Sequence, residues 1–457
     1  MHRAATAFQA AGVVLAATLS AAQAPAPLPS PATETAPVAA PEGFHLRAEA
    51  KLDARHSTFV QTPLFFPFPP SFIPPGETAV FQRTADPGYA LELQNFALIG
   101  EGEISSGVAA KVELHVLDLY NRNPTSSDDR VFVREAWIRF GRRPDPLAAG
   151  RGAPLFVLAG MAPRFSKPVV RGLESYGLWG TAVGRFEVPQ LQAGGDAGPV
   201  YWRAQVGKGN PLFFRDPNAL AGDNGTPERA PGNVHTIYES GFPILYDAKP
   251  DDLDLHGKVE WGAGLGFKHV APERSRGTDV DVLAWYFRRQ LADSVVLRGT
   301  FYSGDIKLLQ GVAFPLPFAG HTKWEAGVNL AARHGRWRLD GQLIRQEIAT
   351  LPRQGFEAEL GAVFDLHGLF LVGETPVGNW LRPVVRVSLI DNRFVTPKEF
   401  PGLSVGWNWR KYDFGVRMGL VRDVDLTLEY ARNDVTTLGG IVHPDEALLT
   451  LRVGLRP

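Results

Sequence analysis

The sequence predicts an all-β protein, a transmembrane antiparallel β-barrel of about 18 strands, with 16 as the alternative. Three observations carry that prediction. Hydrophobic and polar residues alternate with a period of two along nearly the whole chain, which is the period of a strand. Beyond the leader no run of eighteen apolar residues occurs, so no stretch suits a membrane-crossing helix. The chain also opens on an export signal. A bilayer admits only helices or closed barrels, because every backbone N–H and C=O must be paired there.

The leader comes first. Met1-His2-Arg3 precedes a small apolar run from Ala10 to Leu19, and Ser20-Ala21-Ala22 offers a cleavage site. Residues 1–22 are expected to be a signal peptide. Residues 23–42 are Pro- and Ala-rich, cannot build a core, and read as an extended periplasmic tether. Residues 43–457 remain for the barrel, and no second linker divides them.

The strands follow in order. Phe44, Leu46, Ala48, Ala50 and Leu52 alternate with His45, Arg47, Glu49, Lys51 and Asp53. A charge at every second position is costly in a dry core but natural on a wall that faces water. Similar alternation runs near residues 90–103, 108–118 and 131–140. The second half is clearer, with segments beginning near Val259, Val295, Trp324, Trp337, Phe356, Val385, Leu403, Tyr412, Val424 and Ala447. In the last hairpin Val424, Leu426, Leu428 and Tyr430 oppose Asp425, Thr427 and Glu429. The segmentation gives nineteen candidates; bacterial single-chain barrels take even numbers, and the short Leu369–Val372 segment is the weakest. A barrel of either size encloses an aqueous channel. Trp324, Trp337, Trp407, Trp409, Tyr412 and Tyr430 are expected on the outer face as interfacial girdles.

Composition narrows the partners. Lys plus Arg number 47 against 48 Asp plus Glu, and no basic run points to nucleic acid. Cys is absent, which removes disulfides and thiol chemistry. Gly262-Ala263-Gly264-Leu265-Gly266 sits in a strand pattern with no helix after it, so it reads as lumen-facing glycine rather than a dinucleotide loop. Asp251, Asp252 and Asp254 lack the spacing of a calcium loop. No HExxH and no G-x-S-x-G occurs. No catalytic residue, metal or cofactor is therefore assigned. An outer-membrane barrel enzyme and a large exported soluble β-protein stay open as alternatives.

Residues 154–210 carry a resemblance. A strand ends in Gly160, and an irregular segment follows with Pro163, Phe165, Ser166, Pro168 and the pair Glu174-Ser175. A Gly-rich return (Gly180 to Phe186) and an aromatic strand (Tyr201 to Asn210) complete it. The stretch resembles the phosphate-selective porin O and P family of outer-membrane channels. The resemblance implies passive diffusion of small hydrophilic solutes or anions, phosphate among them, with outer-membrane lipid and the barrel assembly machinery as partners, and a homotrimer. It also implies that residues 163–179 fold inward, with Arg164, Lys167 and Arg171 as the anion-contacting bases of a constriction. Lys258, Arg298, Arg338, Arg386 and Arg417 are expected to line the lumen, among nearly as many acids.

Overall fold

The computed structural model describes most of residues 43–455. It leaves out residues 1–42, 456–457 and parts of the loops, chiefly 64–74, 119–130, 143–154, 180–186, 216–242, 247–258, 298–321 and 394–407. The expected signal peptide, the tether, Lys258, Arg298, Trp407 and the Asp251–Asp254 run lie outside the described residues.

Sixteen strands close a ring. They are β1 (Phe44–Ser57), β2 (Gly88–Ser105), β3 (Val108–Asp118) and β4 (Phe132–Phe140). Next come β5 (Phe156–Pro163), β6 (Glu187–Ala197), β7 (Val200–Gly207) and β8 (Glu260–His269). β9 (Thr278–Gln290), β10 (Thr322–His334), β11 (Trp337–Ile348) and β12 (Leu351–Ala362) follow. β13 (Trp380–Asn392), β14 (Asn408–Val421), β15 (Val424–Thr437) and β16 (Glu446–Leu455) complete it. Each strand pairs antiparallel with its neighbours in sequence, and β1 pairs with both β2 and β16. Closure leaves no free edge, which is what a bilayer demands.

The ring takes the smaller of the two expected counts. The sheet reaches eighteen only through two short strands, Phe364–Asp365 and Gly440–Val442. Three readings change. Asn408 and Trp409, the described end of the segment expected near Leu403, run on into Tyr412 in one strand, β14. Near Val295 the described strand is only Val296–Leu297, in a separate three-stranded sheet with Leu212–Arg215 and Pro243–Tyr246. Phe370–Val372 pairs with Thr375–Val377 as a small hairpin outside the ring. Two ring strands escaped prediction: β9, because both of its faces carry apolar residues, and β6, which lies at Glu187–Ala197 while the return expected at Gly180 to Phe186 is outside the described residues.

The faces are inverted relative to a soluble protein. On β15, Asp425, Thr427 and Glu429 are buried, while Leu428 is 58% exposed and Tyr430 43%. Trp261, Leu265 and Phe267 on β8, and Phe414 and Val416 on β14, are likewise exposed. The polar groups therefore stand inside and the apolar band outside, facing lipid. Trp409 is the exception among the expected girdle residues. It is fully buried on the inward face of β14, donating its indole N–H to Asn433 at 2.9 Å. Joining the two expected segments into one strand fixes its parity with Lys411 and Asp413.

The two ends of the barrel differ. Two-residue turns join β2 to β3, β6 to β7, β10 to β11 and β14 to β15 at the end where β1 starts and β16 finishes. Gly335 (φ 55°) and Asp423 (φ 60°) supply the left-handed backbone such tight hairpins need. Apart from the two-residue step from β11 to β12, longer connections crowd the other end, and the segment after β5 is among them.

Candidate functional site

Inward side chains and the segment between β5 and β6 make the site. The described residues of this segment are 164–167, 171–175 and 177–179. Their partners sit on the inward faces of strands around much of the ring, so the segment lies within the barrel.

It is anchored first at β8 and β10. The Arg164 guanidinium donates to Glu325 at 2.7 Å and pairs with Glu260 at 2.9 Å. Lys323 joins the same two carboxylates, at 3.1 Å and 3.4 Å, making a buried quartet of two acids and two bases. Arg164 also lies over the Phe287 ring, 3.9 Å from its centroid. Burial alone would weaken its hold on the proton; Glu260 and Glu325 outweigh that and raise its pKa. One turn on, the Ser166 carbonyl accepts from Asn329 and Gln342, both at 2.9 Å.

The tip crosses to β12–β15 and β1. The Gly172 N–H donates to Glu359 at 2.6 Å. Glu429 accepts from the N–H groups of Glu174 and Ser175 and from the Ser175 hydroxyl, the last at 2.7 Å. Arg386, itself bound to Asp413 at 2.8 Å, donates to the Ser175 carbonyl at 2.9 Å and hydroxyl at 2.7 Å. The Glu174 carboxylate takes Lys51 at 2.8 Å and Arg417 at 3.4 Å. Burial pushes this carboxyl up, but Lys51 and Arg417 outweigh it and hold it well below the usual carboxylate range. On the way back the Trp179 indole donates to the Leu389 carbonyl at 3.2 Å.

Open space lies on the other side. A chamber of about 240 Å³ is walled by Glu49 and Lys51 of β1, Gln94 and Asn95 of β2, and Lys111, Glu113 and His115 of β3. Arg134 and Glu135 of β4 continue the wall, and Lys167 and Arg171 of the segment face it. Lys111 bridges Glu113 at 2.7 Å and Glu135 at 3.1 Å. His115 stands between Glu113 and Asn95, 2.8 Å from each. Lys167 pairs with Glu187 at 2.5 Å. The lining itself holds five bases (Lys51, Lys111, Arg134, Lys167, Arg171) and three acids (Glu49, Glu113, Glu135), while Glu174 and Glu187 from beside it pair with Lys51 and Lys167.

The residues singled out from sequence divide accordingly. Lys167 and Arg171 line the chamber. Arg164 does not: it is only 4% exposed and is spent on Glu260 and Glu325. Arg386 and Arg417 face inward but bind the segment, and Arg338 is held by Asp340 at 2.6 Å. Sequence reasoning passed over Lys111 and Arg134, although the alternation of β3 already put Lys111 on the polar face. It also missed the inward aromatic cluster of Tyr201, Trp285 and Phe287, against which Phe165 packs. The lost alternation of β9 hid that cluster.

No family model and no curated protein matches the chain. Solved structures do. The outer membrane channel DcaP of Acinetobacter baumannii superposes with a TM-score of 0.50 at 12% identity, covering 93% of this chain and all of that one. OprB of Pseudomonas putida gives 0.47 at 11% identity over 90% of this chain and 94% of its own. An anion-selective porin from Comamonas acidovorans gives 0.43 at 9% identity, over 90% and 100%. At these identities the DcaP likeness speaks to the fold alone: this chain has the barrel fold of an outer-membrane channel.

Proposed function

We propose that the protein is an outer-membrane porin, a passive diffusion channel for small hydrophilic solutes with a preference for anions. The observation that carries this reading is the chamber beside the inward segment, whose lining bears more bases than acids. A few fixed charges in a narrow, low-dielectric passage focus the field and set which ions enter. Lys167 and Arg171 are the constriction bases in this reading, with Lys51, Lys111 and Arg134 opposite. Arg164 positions the segment and touches no solute. The narrower reading, a phosphate-selective channel, rests on the same lining bases. The assembly is a homotrimer, inserted after signal-peptide removal.

Purified protein in a planar bilayer tests this. Discrete current steps are expected, with a reversal potential in a KCl gradient on the chloride side. Phosphate added to one chamber should reduce the chloride current if the narrower reading holds. Absence of steps from correctly folded, heat-modifiable protein would overturn the proposal.

A further inference from the structure

The glycines of the wall receive the apolar side chains of the inward segment. On β8, Gly262, Gly264 and Gly266 share the inward face, and each is floored under an aromatic ring. A Cβ on Gly262 would stand 2.2 Å from the Phe287 ring, and one on Gly266 would stand 2.0 Å from Tyr201. Both rings come from the strand position directly opposite, Phe287 on β9 and Tyr201 on β7. The middle ring is different. The Cβ of a substituted Gly264 would meet Phe165, a residue of the segment, at 3.0 Å. Phe165 stacks on Phe287 with centroids 4.8 Å apart.

The pattern recurs twice on other strands. A Cβ on Gly415 of β14 would lie 2.4 Å from Leu173. One on Gly355 of β12 would lie 2.7 Å from Trp179, and closer still, 1.9 Å, to the Leu389 carbonyl of β13. The fit is reciprocal, because the segment's own glycines give way to the wall. A Cβ on Gly172 would stand 2.7 Å from Glu359, and one on Gly177 would overlap Glu357 at 1.7 Å. Glycine inside a strand weakens it and marks a close approach by another group. Here that group is an apolar side chain of the same segment at Gly264 and Gly415, and Trp179 together with the Leu389 carbonyl at Gly355.

We propose that Phe165, Leu173 and Trp179, seated over Gly264, Gly415 and Gly355, are the positioning residues that fix the inward segment and so the cross-section of the passage. The ion pairs of Glu174 are secondary to them. Apolar contact is gained wherever area leaves water and is indifferent to salt. The Glu174 carboxylate is only 3% exposed, so salt screens its pairs little. A buried pair instead offsets much of its own attraction by desolvation. The three seats are spread over β8, β12 and β14, so together they fix position and orientation, which one seat alone would not.

This inference rests on the channel reading, and single-channel conductance tests both. Phe165→Ala and Leu173→Ala each empty a seat without touching the chamber lining, and each should raise the conductance and broaden its distribution. Gly264→Val should do the same by lifting Phe165. Combining Gly264→Val with Phe165→Ala should return the conductance toward wild type, since the added bulk then fills the vacated seat. Glu174→Gln should change conductance less than any emptied seat. Wild-type protein that passes no current overturns the channel reading itself. Wild type that conducts while Phe165→Ala and Leu173→Ala match it overturns the positioning role. A larger effect from Glu174→Gln than from either would assign the position to the ion pairs instead. If Gly264→Val fails to insert, the two alanine variants still decide.

Discussion

The two halves of the lumen wall use the same residue types to opposite ends. On β13 and β14 inward charges are buried against the segment and one another: Arg386 is 1% exposed, Asp413 and Lys411 essentially not at all. From β1 to β4 the side chains of Lys51, Lys111 and Arg134 stay 15–23% exposed and border the chamber. Alternation along a strand specifies which residues point inward. It does not specify whether they meet water or another part of the chain. That is decided by where a single connection lies, and here it lies to one side.

The contrast is broken most severely on the covered side. Arg386→Met removes the cation that joins Asp413, Glu359 and Ser175. Breaking one partner of a buried pair costs about 3–5 kcal/mol, because the remaining charges stay desolvated. Denaturant titration of the barrel refolded in lipid vesicles should show a loss of that size.

A second variant probes the outer face. Leu428→Arg places a charge in the lipid band and should cost about 2–4 kcal/mol if it sits near mid-bilayer. The inward control cannot be its neighbour Thr427, which is fully buried inside the barrel. It belongs on the open half. Lys111→Gln should cost less than Arg386→Met, yet it should move the reversal potential in a KCl gradient toward the cation side. An unmoved potential would remove the β1–β4 wall from the conduction path.

Much of this arrangement was legible in the sequence, and the remainder was not for identifiable reasons. Period two gave the strands and their faces, as Leu428 and Thr427 illustrate. It failed at β9, where Leu283, Trp285 and Phe287 point inward and erase the polar stripe. It failed again at Trp409, whose face follows from the continuity of β14 rather than from its own neighbours. The glycines of β8 were rightly read as inward, but their reason is the ring above each, which belongs to residues between 25 and 99 positions away. Arg164 and Arg171 looked equivalent as loop bases. Only the fold shows that two glutamates from β8 and β10 take the first, and that the second faces the chamber.

The smallest effect expected is a pH dependence, and its sign is fixed by Glu174. Lys51 and Arg417 hold this carboxyl well below the usual carboxylate range in the folded protein. A group whose folded pKa is depressed contributes stability that is fully present above its unfolded value, roughly 4.3. That contribution is lost as pH falls through the folded value. Stability in lipid vesicles should thus be flat with respect to this group at neutral pH and decline in acid. Glu174→Gln, which keeps the shape and drops the charge, should be less stable than wild type at pH 7 and approach it as pH is lowered. Parallel acid profiles for wild type and Glu174→Gln would show that the Lys51–Glu174–Arg417 bridge contributes nothing to holding the segment.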